Sequence, residues 1–269
     1  MKAKTILKSL LPPLVISLFK KRRTKYGWFG NYSKWEDAQK ECSGYDATII
    51  LENCKNALLE VKNGKAVYER DSVLFNTIEY SWPLLAGLMF IAAINNGNLQ
   101  VLDFGGSLGS SYFQNRKYLL GLKNFCWRIV EQSNFVKCGK EMFENETLKF
   151  YENIKASVAD TPPNVILLSS VLSYLQEPYK ILDEIIQINA QSIIIDRTIF
   201  IEEPEDRLAI QKVSPTIFKA TLACWFFSKN KLIEYFNHNN YLLHSNFKAI
   251  DQSCDNFEFC GYIFLKKGI

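Results

Sequence analysis

The chain has few of the side chains that bind structural metals. It contains two histidines, His238 and His244, and seven cysteines, and no two cysteines form a C-x-x-C pair. Structural zinc sites need clustered Cys and His ligands at characteristic spacing, so the sequence predicts no metal site. An odd number of cysteines without paired spacing is typical of a reducing compartment, which favours a cytoplasmic location.

Long apolar runs are also missing. Residues 10–19, LLPPLVISLF, form a run of ten that Pro12 and Pro13 interrupt, whereas a membrane-spanning helix needs about 20 apolar residues. The basic stretch KKRRT follows it, in place of the small residues of a signal-peptidase site. The sequence therefore argues against a spanning helix and against a cleavable signal peptide.

Acidic residues are absent from residues 1–25, which carry eight Lys and Arg side chains. This leaves 24 of the 32 basic side chains against 28 acidic ones in the rest of the chain, although the whole has a net charge of +4. A mildly acidic body lacks the basic face of a nucleic-acid-binding protein. Two interpretations of the leader, residues 1–25, stay open: a weak membrane-surface anchor, or a basic helix packed on the domain.

The composition is that of a globular protein with a sizeable aromatic core. Of 269 residues, 48% are hydrophobic, and there are 19 Phe, 13 Tyr and 5 Trp. This length predicts one large α/β domain, alone or with a small appendage. In residues 26–97, the pattern indicates an aromatic loop over 26–35, a capping box formed by Ser33 and Glu36, and helices over 47–62 and 82–95. We therefore expect a helical N-terminal cap over 26–97.

From residue 98 onward, short apolar runs alternate with helical patterns. Strands are predicted near 99–103, 126–130, 147–150, 164–169 and 192–196, with helices near 111–121, 133–143 and 178–190. Continuous apolar strands alternating with helices indicate a parallel sheet covered on both faces. Two further strands, near 241–249 and 257–265, are too close in sequence for a crossover helix, so they should form an antiparallel hairpin.

The chemistry-bearing motif is LQVLDFGGSLGSSYFQ at residues 99–114. A predicted strand ends in Asp103, and a turn containing Gly105, Gly106 and Gly109 leads into a helix. Glycines allow a close approach of the backbone to a ligand, and the helix N-terminus offers free N–H donors. The second strand ends in Glu131, whose carboxylate could accept both hydroxyls of a ribose. Together these features predict a cofactor that contains a nucleoside.

The dinucleotide pattern G-x-G-x-x-G fits this turn poorly, because serine or leucine stands where glycine is required. The sequence D-F-G-G-S-L-G instead resembles motif I of class I S-adenosylmethionine methyltransferases, with Ser107 at the middle glycine and Gly106 beside it. The predicted closing hairpin is also similar to that class. The resemblance implies a Rossmann-like seven-stranded sheet of order 3-2-1-4-5-7-6 with an antiparallel last strand, and S-adenosylmethionine as cofactor.

A wider set of motifs resembles a poorly characterised family of bacterial methyltransferases often associated with surface-polysaccharide gene clusters. The set spans residues 26–265 and comprises W-F-G-N-Y-S-K-W-E-D-A, G-Y-D, Y-E-R-D-S, the glycine-rich turn, V-E-Q, L-L-S-S-V-L-S-Y-L and I-I-D-R-T. The resemblance implies cofactor-binding roles for the following residues: Asp103, Gly105, Gly106, Ser107, Gly109, Glu131, Gln132, Ser170 and Val171.

The candidate residues for binding or activating the methyl acceptor are acids, arginines and aromatics. A catalytic base is needed if the acceptor is a hydroxyl, and the candidates are Asp196, Asp71 and Glu69. Arg70 and Arg197 could bind an anionic acceptor or pair with neighbouring acids. Tyr112 and Trp28 are candidates for substrate binding, although core packing is the plainer interpretation of Trp28.

The leading hypothesis is methyl transfer from S-adenosylmethionine to oxygen on a saccharide or glycolipid precursor, at the inner membrane face. One alternative is a nucleotide-sugar or NAD(P)-utilising enzyme, and another is a non-catalytic scaffold in polysaccharide assembly. The expected organisation is a leader at 1–25, a cap at 26–97 and a methyltransferase domain at 98–269. The oligomeric state stays open.

Overall fold

The structure is a computed structural model that describes residues 25–43, 47–214, 220–251, 253–254 and 256–269. The interpretations of the leader up to residue 24 lie outside the described residues. The strands of the described part are β1 (Gly27–Tyr32), β2 (Tyr68–Arg70), β3 (Val73–Phe75), β4 (Asn98–Phe104), β5 (Asn124–Val130), β6 (Leu148–Tyr151), β7 (Val165–Ser169), β8 (Ser192–Ile201), β9 (Arg207–Lys212), β10 (Thr221–Ser228), β11 (Tyr241–Lys248) and β12 (Glu258–Lys266).

Helices precede, separate and cover these strands. They are α1 (Trp35–Lys40), α2 (Ala47–Lys62), α3 (Trp82–Ile94), α4 (Ser110–Leu119), α5 (Ser133–Met142), α6 (Ile154–Asp160), α7 (Pro178–Ile188) and α8 (Lys229–His238), with a short 3-10 turn at Leu172–Tyr174. The helices predicted over 47–62 and 82–95 are confirmed. The Asn95-Asn96-Gly97 stop follows α3, and the N–H of Gly97 donates to the carbonyl of Ala92 at 2.8 Å.

The predicted parallel sheet is confirmed. Strands β6, β5, β4, β7 and β8 lie side by side in that order and run parallel. Their residues are almost all buried, as expected for apolar strands covered on both faces. The sheet separates two cores: one on the side of α3, α4 and α5, and one on the side of α7 and α8.

The closing hairpin is confirmed as well. β12 pairs antiparallel with β8, from Glu258 opposite Phe200 to Leu265 opposite Ser192, and β11 pairs antiparallel with β12. If the strands from β4 onward are numbered as the resemblance implies, with β11 and β12 as sixth and seventh, the order is 3-2-1-4-5-7-6. The strand order is therefore the one that the resemblance implies, with an antiparallel seventh strand.

The sheet contains three strands that the sequence pattern did not predict. β1 pairs antiparallel with β9, β9 pairs antiparallel with β10, and β10 joins β8 in parallel at Phe200 and Ile201. The loop predicted for 26–35 is wrong, because residues 27–32 form β1. Gly27 and Gly30, at φ of +122° and +79°, give this segment a loop-like sequence although it pairs as a strand.

The helical description of residues 26–97 is also wrong in part. Besides α1, α2 and α3, this region contains β1 and the hairpin of β2 and β3, whose turn residues Asp71 and Ser72 both have positive φ, +52° and +68°. Positive φ at both central residues is the requirement of a two-residue type I′ turn. The predicted capping box is wrong too, because Lys34 is the N-cap of α1 and no side chain caps that helix.

Candidate active site

The glycine-rich turn lies at the carboxyl edge of the sheet, between β4 and α4. Gly105 has φ of +73°, and its N–H donates to the carbonyl of Val130 at the end of β5, at 2.9 Å. A Cβ on Gly105 would lie 2.4 Å from Cγ2 of Val171, which follows β7. The turn is therefore held between the ends of the second and fourth strands, and a side chain at Gly105 would displace it.

Gly106 lies directly against the carboxylate of Asp103. A Cβ on Gly106 would lie 2.5 Å from both Cγ and Oδ2 of Asp103, which is closer than real Cβ contacts. Ser107 takes φ of +53°, and Gly109, at φ of +106°, is the N-cap of α4 without a side-chain cap. The turn thus presents backbone, and the start of a ten-residue helix, toward the edge where open α/β sheets bind ligands.

Asp103 is fully buried beneath this turn. Its Oδ2 accepts a hydrogen bond from Nε1 of Trp127 at 2.9 Å, whereas Oδ1 accepts none from the described residues. Burial raises the pKa of Asp103 to about 7, the Trp127 hydrogen bond opposes this rise, and the charge of Glu131 adds to it. A buried oxygen without a partner is expensive, so Oδ1 of Asp103 is a candidate acceptor for a group that approaches the turn.

Glu131 follows β5 and lies beside the same turn. Burial raises the pKa of Glu131, while the backbone amides of Gln132 and Ser107 lower it by hydrogen bonding to the carboxylate. The Gln132 amide donates to Oε2 at 2.7 Å, and the side chain of Gln132 is exposed at the start of α5. The structure therefore brings the predicted ribose-binding acid to the glycine turn.

Ser170 and Val171 lie next to this turn, after the fourth strand. Ser170 has φ of +57°, and its N–H donates to the carbonyl of Asp196 at 3.0 Å, which links the end of β7 to the middle of β8. Val171 packs under Gly105. The cofactor-binding residues expected from the resemblance thus lie together along the carboxyl ends of β4, β5 and β7.

Asp196 is the buried acid of the fifth strand, with 2% of its surface exposed. Its Oδ1 has no hydrogen-bond partner among the described residues. Burial raises the pKa of Asp196 to about 6, the charge of Arg197 opposes this rise, and that of Asp251 adds to it. A carboxylate with a pKa near 6 is ionised at neutral pH and can accept a proton.

Arg197 ties the fifth strand to two other parts of the chain. Its guanidinium donates to both oxygens of Asp251, at 2.8 and 3.1 Å, and to Oδ2 of Asp71 in the hairpin turn. Burial lowers the pKa of Arg197, but the two carboxylates outweigh burial and raise it well above its usual value. Arg197 is thus neutralised by two acids, which weakens its prediction as a binder of an anionic acceptor.

Glu69 and Arg70, on β2, are likewise engaged. Glu69 is 2% exposed and accepts hydrogen bonds from Oγ of Ser110, at 2.6 Å, and from the N–H of Ser72, at 2.8 Å. Burial raises the pKa of Glu69, and these hydrogen bonds oppose the rise. Arg70 donates to Glu79 at 3.0 Å. Glu69 therefore fastens the hairpin to the first residue of α4.

Two residues predicted to bind substrate, Tyr112 and Trp28, pack into the core instead. Tyr112 is 2% exposed, its ring packs among Phe113, Phe125 and Trp127, and its hydroxyl lies 2.8 Å from Oγ1 of Thr147. Tyr112 follows the glycine turn, but the helical turn directs it inward, which argues against the predicted role in substrate binding. Trp28 packs edge-on to Phe257, with centroids 4.8 Å apart, which supports the core-packing interpretation.

Sequence reasoning missed several groups that complete the site. Asp251 and Ser110 bind Arg197 and Glu69, and Sγ of Cys54 on α2 lies 3.2 Å from Oγ of Ser72. These contacts join segments far apart in the chain, so no local signal indicates them.

Within the described ranges, no group of three or more His, Cys, Asp or Glu side chains is arranged to hold a metal ion. The seven cysteines all lie in described parts and are all free. No helix in those parts is long and apolar enough to cross a membrane.

The fold is similar to solved structures at low sequence identity. The N-terminal domain of EvdMO1, in the presence of S-adenosylhomocysteine and D-fucose, matches 74% of this chain and 89% of its own, with 11% identity and a TM-score of 0.46. A Burkholderia thailandensis 1,6-didemethyltoxoflavin-N1-methyltransferase with S-adenosylhomocysteine matches 84% and 91%, with 13% identity and a TM-score of 0.41.

A third similar structure is the magnesium protoporphyrin IX methyltransferase ChlM from Synechocystis PCC 6803 with bound S-adenosylmethionine. It matches 84% of this chain and 99% of its own, with 10% identity and a TM-score of 0.46. No protein-family profile and no curated protein sequence matches the chain. At identities of 10–13%, these similarities concern the fold and carry nothing about a methyl acceptor.

Proposed function

We propose that this chain is an S-adenosylmethionine-dependent methyltransferase of class I. The observation that carries this proposal is the juxtaposition of Gly105 and Gly106 with Asp103 and Glu131 at the carboxyl edge of a 3-2-1-4-5-7-6 sheet. The residues fit the cofactor on two counts. A Cβ at Gly105 or Gly106 would clash with Val171 or Asp103, so the turn must present bare backbone, and the buried Oδ1 of Asp103 has no partner among described residues.

Each of these residues has a proposed role toward the cofactor. Glu131 would accept the ribose hydroxyls, with Gln132 next to the adenine, and the turn from Gly105 to Gly109 would hold the ribose and amino-acid parts. Asp103 would order the turn or take the cofactor amino group through water. Ser170 and Val171 would contribute backbone groups near the sulfonium. When bound, S-adenosylmethionine supplies an electrophilic methyl group that needs no metal for its transfer.

The chain's own contribution to the reaction is then positioning, with a base for the acceptor proton. Among the three candidate bases, Asp196 fits best, because it has a buried oxygen without a partner and a pKa raised to about 6 by burial. Asp71 is held by Arg197, and Glu69 by Ser110 and Ser72. We propose that Asp196 accepts the proton of an acceptor hydroxyl.

The proposed acceptor is a hydroxyl of a saccharide or glycolipid precursor. The sequence resemblance supports this class, and so do the carboxylates beside the fifth strand, which can accept hydrogen bonds from sugar hydroxyls. We also propose that residues 1–25 form a leader, that 26–97 cover the cleft, and that 98–269 form the catalytic domain of a cytoplasmic protein. Residues 27–32 nevertheless belong to the sheet, so this cap is not a separate unit.

Calorimetric titration with S-adenosylhomocysteine tests the cofactor assignment. Wild type should bind at micromolar concentration, and Glu131→Ala should weaken binding roughly 5- to 150-fold, equivalent to about 1–3 kcal/mol. Glu184→Ala, an exposed acid on α7, is the matched control and should bind as wild type. No binding by folded wild type, together with binding of reduced nicotinamide cofactor, would overturn the proposal in favour of the dinucleotide alternative.

Methyl transfer to isolated saccharide and glycolipid fractions, followed with labelled S-adenosylmethionine, tests the acceptor. Asp196→Asn should lower kcat by at least tenfold while the affinity for S-adenosylhomocysteine changes less than threefold. Asp183→Asn, on the exposed side of α7, provides the control. A labelled protein or nucleic acid in place of a saccharide product would reject the acceptor class and keep the cofactor assignment.

A further inference from the structure

Helix α3 is apolar on both sides. Residues 82–94 include no charged side chain. The inner side packs into the core through Leu84, Leu88 and Ile91, which are at most 1% exposed. The outer side consists of Trp82, Ala86, Met89, Phe90, Ala93 and Ile94, and every one of them is exposed. A helix on the surface of a soluble domain normally has polar residues on its outer side, so this face needs an explanation.

The exposed residues form one continuous stripe, because positions three, four and seven apart share a helix face. Trp82 is 56% exposed, Phe90 40% and Ile94 45%. The stripe continues onto β11, where the ring of His244 stacks on Phe90 with centroids 5.7 Å apart and Leu242 is 48% exposed. We refer to residues 82, 86, 89, 90, 93 and 94 as the α3 outer face.

The size of the α3 outer face favours a lipid surface over a second copy of the chain. Side chains of this kind and exposure leave on the order of 500 Å² of surface, which is within the range of patches that are often functional. Each partner in a stable dimer buries about 800 Å². The α3 outer face alone is therefore smaller than one side of a stable dimer interface.

Aromatic side chains border the α3 outer face at its N-terminal end. Tyr80, Trp82 and Tyr118 form a mutual cluster with centroids 4.8, 5.3 and 5.8 Å apart, and Tyr118 is 39% exposed. Tyr and Trp rings have an apolar body and a polar tip, which suits them to the boundary between lipid headgroups and acyl chains. Lys117, beside Tyr118, is exposed and can approach anionic headgroups.

We propose that the α3 outer face docks on an anionic lipid surface, with Trp82, Met89, Phe90 and Ile94 entering the headgroup boundary. The leader of the same chain supplies the complementary charge, since residues 1–25 carry eight basic side chains and no acid. Stable peripheral attachment generally takes two signals, and a ten-residue apolar run interrupted by two prolines is a weak one. The α3 outer face provides the second.

Co-sedimentation with vesicles tests this proposal. The full chain is mixed with vesicles of phosphatidylcholine alone or of phosphatidylcholine with phosphatidylglycerol, and it should bind the anionic vesicles preferentially. The variant Met89→Ser, Phe90→Ser, Ile94→Ser should lose at least tenfold in partitioning. The control variant Val67→Ser, Met142→Ser, Ile269→Ser removes three exposed apolar side chains elsewhere and should partition as wild type.

Folding of each variant is checked by thermal unfolding, and Phe90→Ser alone gives a milder variant that should lose part of the binding. Equal partitioning of wild type and the α3 variant would overturn the proposal and assign binding to the leader. Absence of wild-type binding to anionic vesicles would also overturn it. Light scattering that finds a wild-type dimer, converted to a monomer by the α3 variant without vesicle binding, would assign the face to a second copy instead.

Discussion

The guanidinium of Arg197, in the middle of the fifth strand, donates a hydrogen bond to the carboxylate of Asp71, in the turn of the β2–β3 hairpin. This contact joins the cap to the edge of the sheet where the acceptor would approach. Arg197 keeps Asp251 as a second partner, at 2.8 Å. The hairpin is also fixed by Glu69, which accepts a hydrogen bond from Ser110. The cap is therefore fastened to both halves of the proposed site.

Removing Asp71 and removing Arg197 should lower the free energy of unfolding by different amounts. Asp71 is half-exposed, with 50% side-chain accessibility, so Asp71→Ala should lower the free energy of unfolding by less than about 1 kcal/mol. Arg197→Ala leaves Asp251 and Asp71 facing each other without their cation, and should cost about 1–3 kcal/mol. Urea unfolding measures both values. A larger loss for Asp71→Ala than for Arg197→Ala would contradict the geometry described.

Gly106→Ala should damage the proposed cofactor site through sterics. The new methyl group would lie 2.5 Å from Oδ2 of Asp103, and overpacking of this kind costs about 1–3 kcal/mol. Affinity for S-adenosylhomocysteine should fall at least tenfold. Gly121→Ala is the matched control, because a Cβ there has no heavy atom within 4 Å. Calorimetry on both variants makes the comparison, and equal affinities would mean that the turn does not contact the cofactor.

The parallel sheet and the cofactor edge were predictable from the sequence because their signals are local. Apolar runs mark the strands, and Asp103 and Glu131 directly follow or end such runs. The contact between Arg197 and Asp251, 54 residues apart, has no local signal. It forms only when the loop between β11 and β12, which contains Asp251, is brought to strand β8, which contains Arg197. β1 was missed for the same reason. Its glycines suggest a loop, and its partner β9 begins at Arg207.

The core position of Tyr112 gives a separate prediction. Its hydroxyl lies 2.8 Å from Oγ1 of Thr147, so Tyr112→Phe should lower the free energy of unfolding by about 1 kcal/mol. Methyl-transfer rates should stay within twofold of wild type, because the hydroxyl faces the core rather than the cleft. Thermal unfolding and a turnover assay provide the two readouts. A loss of acceptor affinity without a loss of stability would return Tyr112 to the substrate site.

Asp103 should give the protein a measurable dependence of stability on pH. The pKa of Asp103 is raised from 3.8 to about 7, mainly by burial, so the folded chain binds this proton more tightly than the unfolded chain does. Its stabilising contribution is complete below pH 3.8 and is lost as the pH rises to about 7. A tenfold difference in proton affinity between the folded and unfolded chain corresponds to about 1.4 kcal/mol, so the loss amounts to a few kcal/mol.

Asp103→Asn removes this titration while keeping a side-chain oxygen for Nε1 of Trp127. The variant should therefore be less dependent on pH between 4 and 7 than wild type, and should exceed it in stability above pH 7. Urea unfolding at a series of pH values checks this, with Asp183→Asn as an exposed control. Affinity for S-adenosylhomocysteine should fall at the same time, because the carboxylate that orders the glycine turn is lost. A stable variant that binds the ligand as tightly as wild type would show that Asp103 acts on the fold alone.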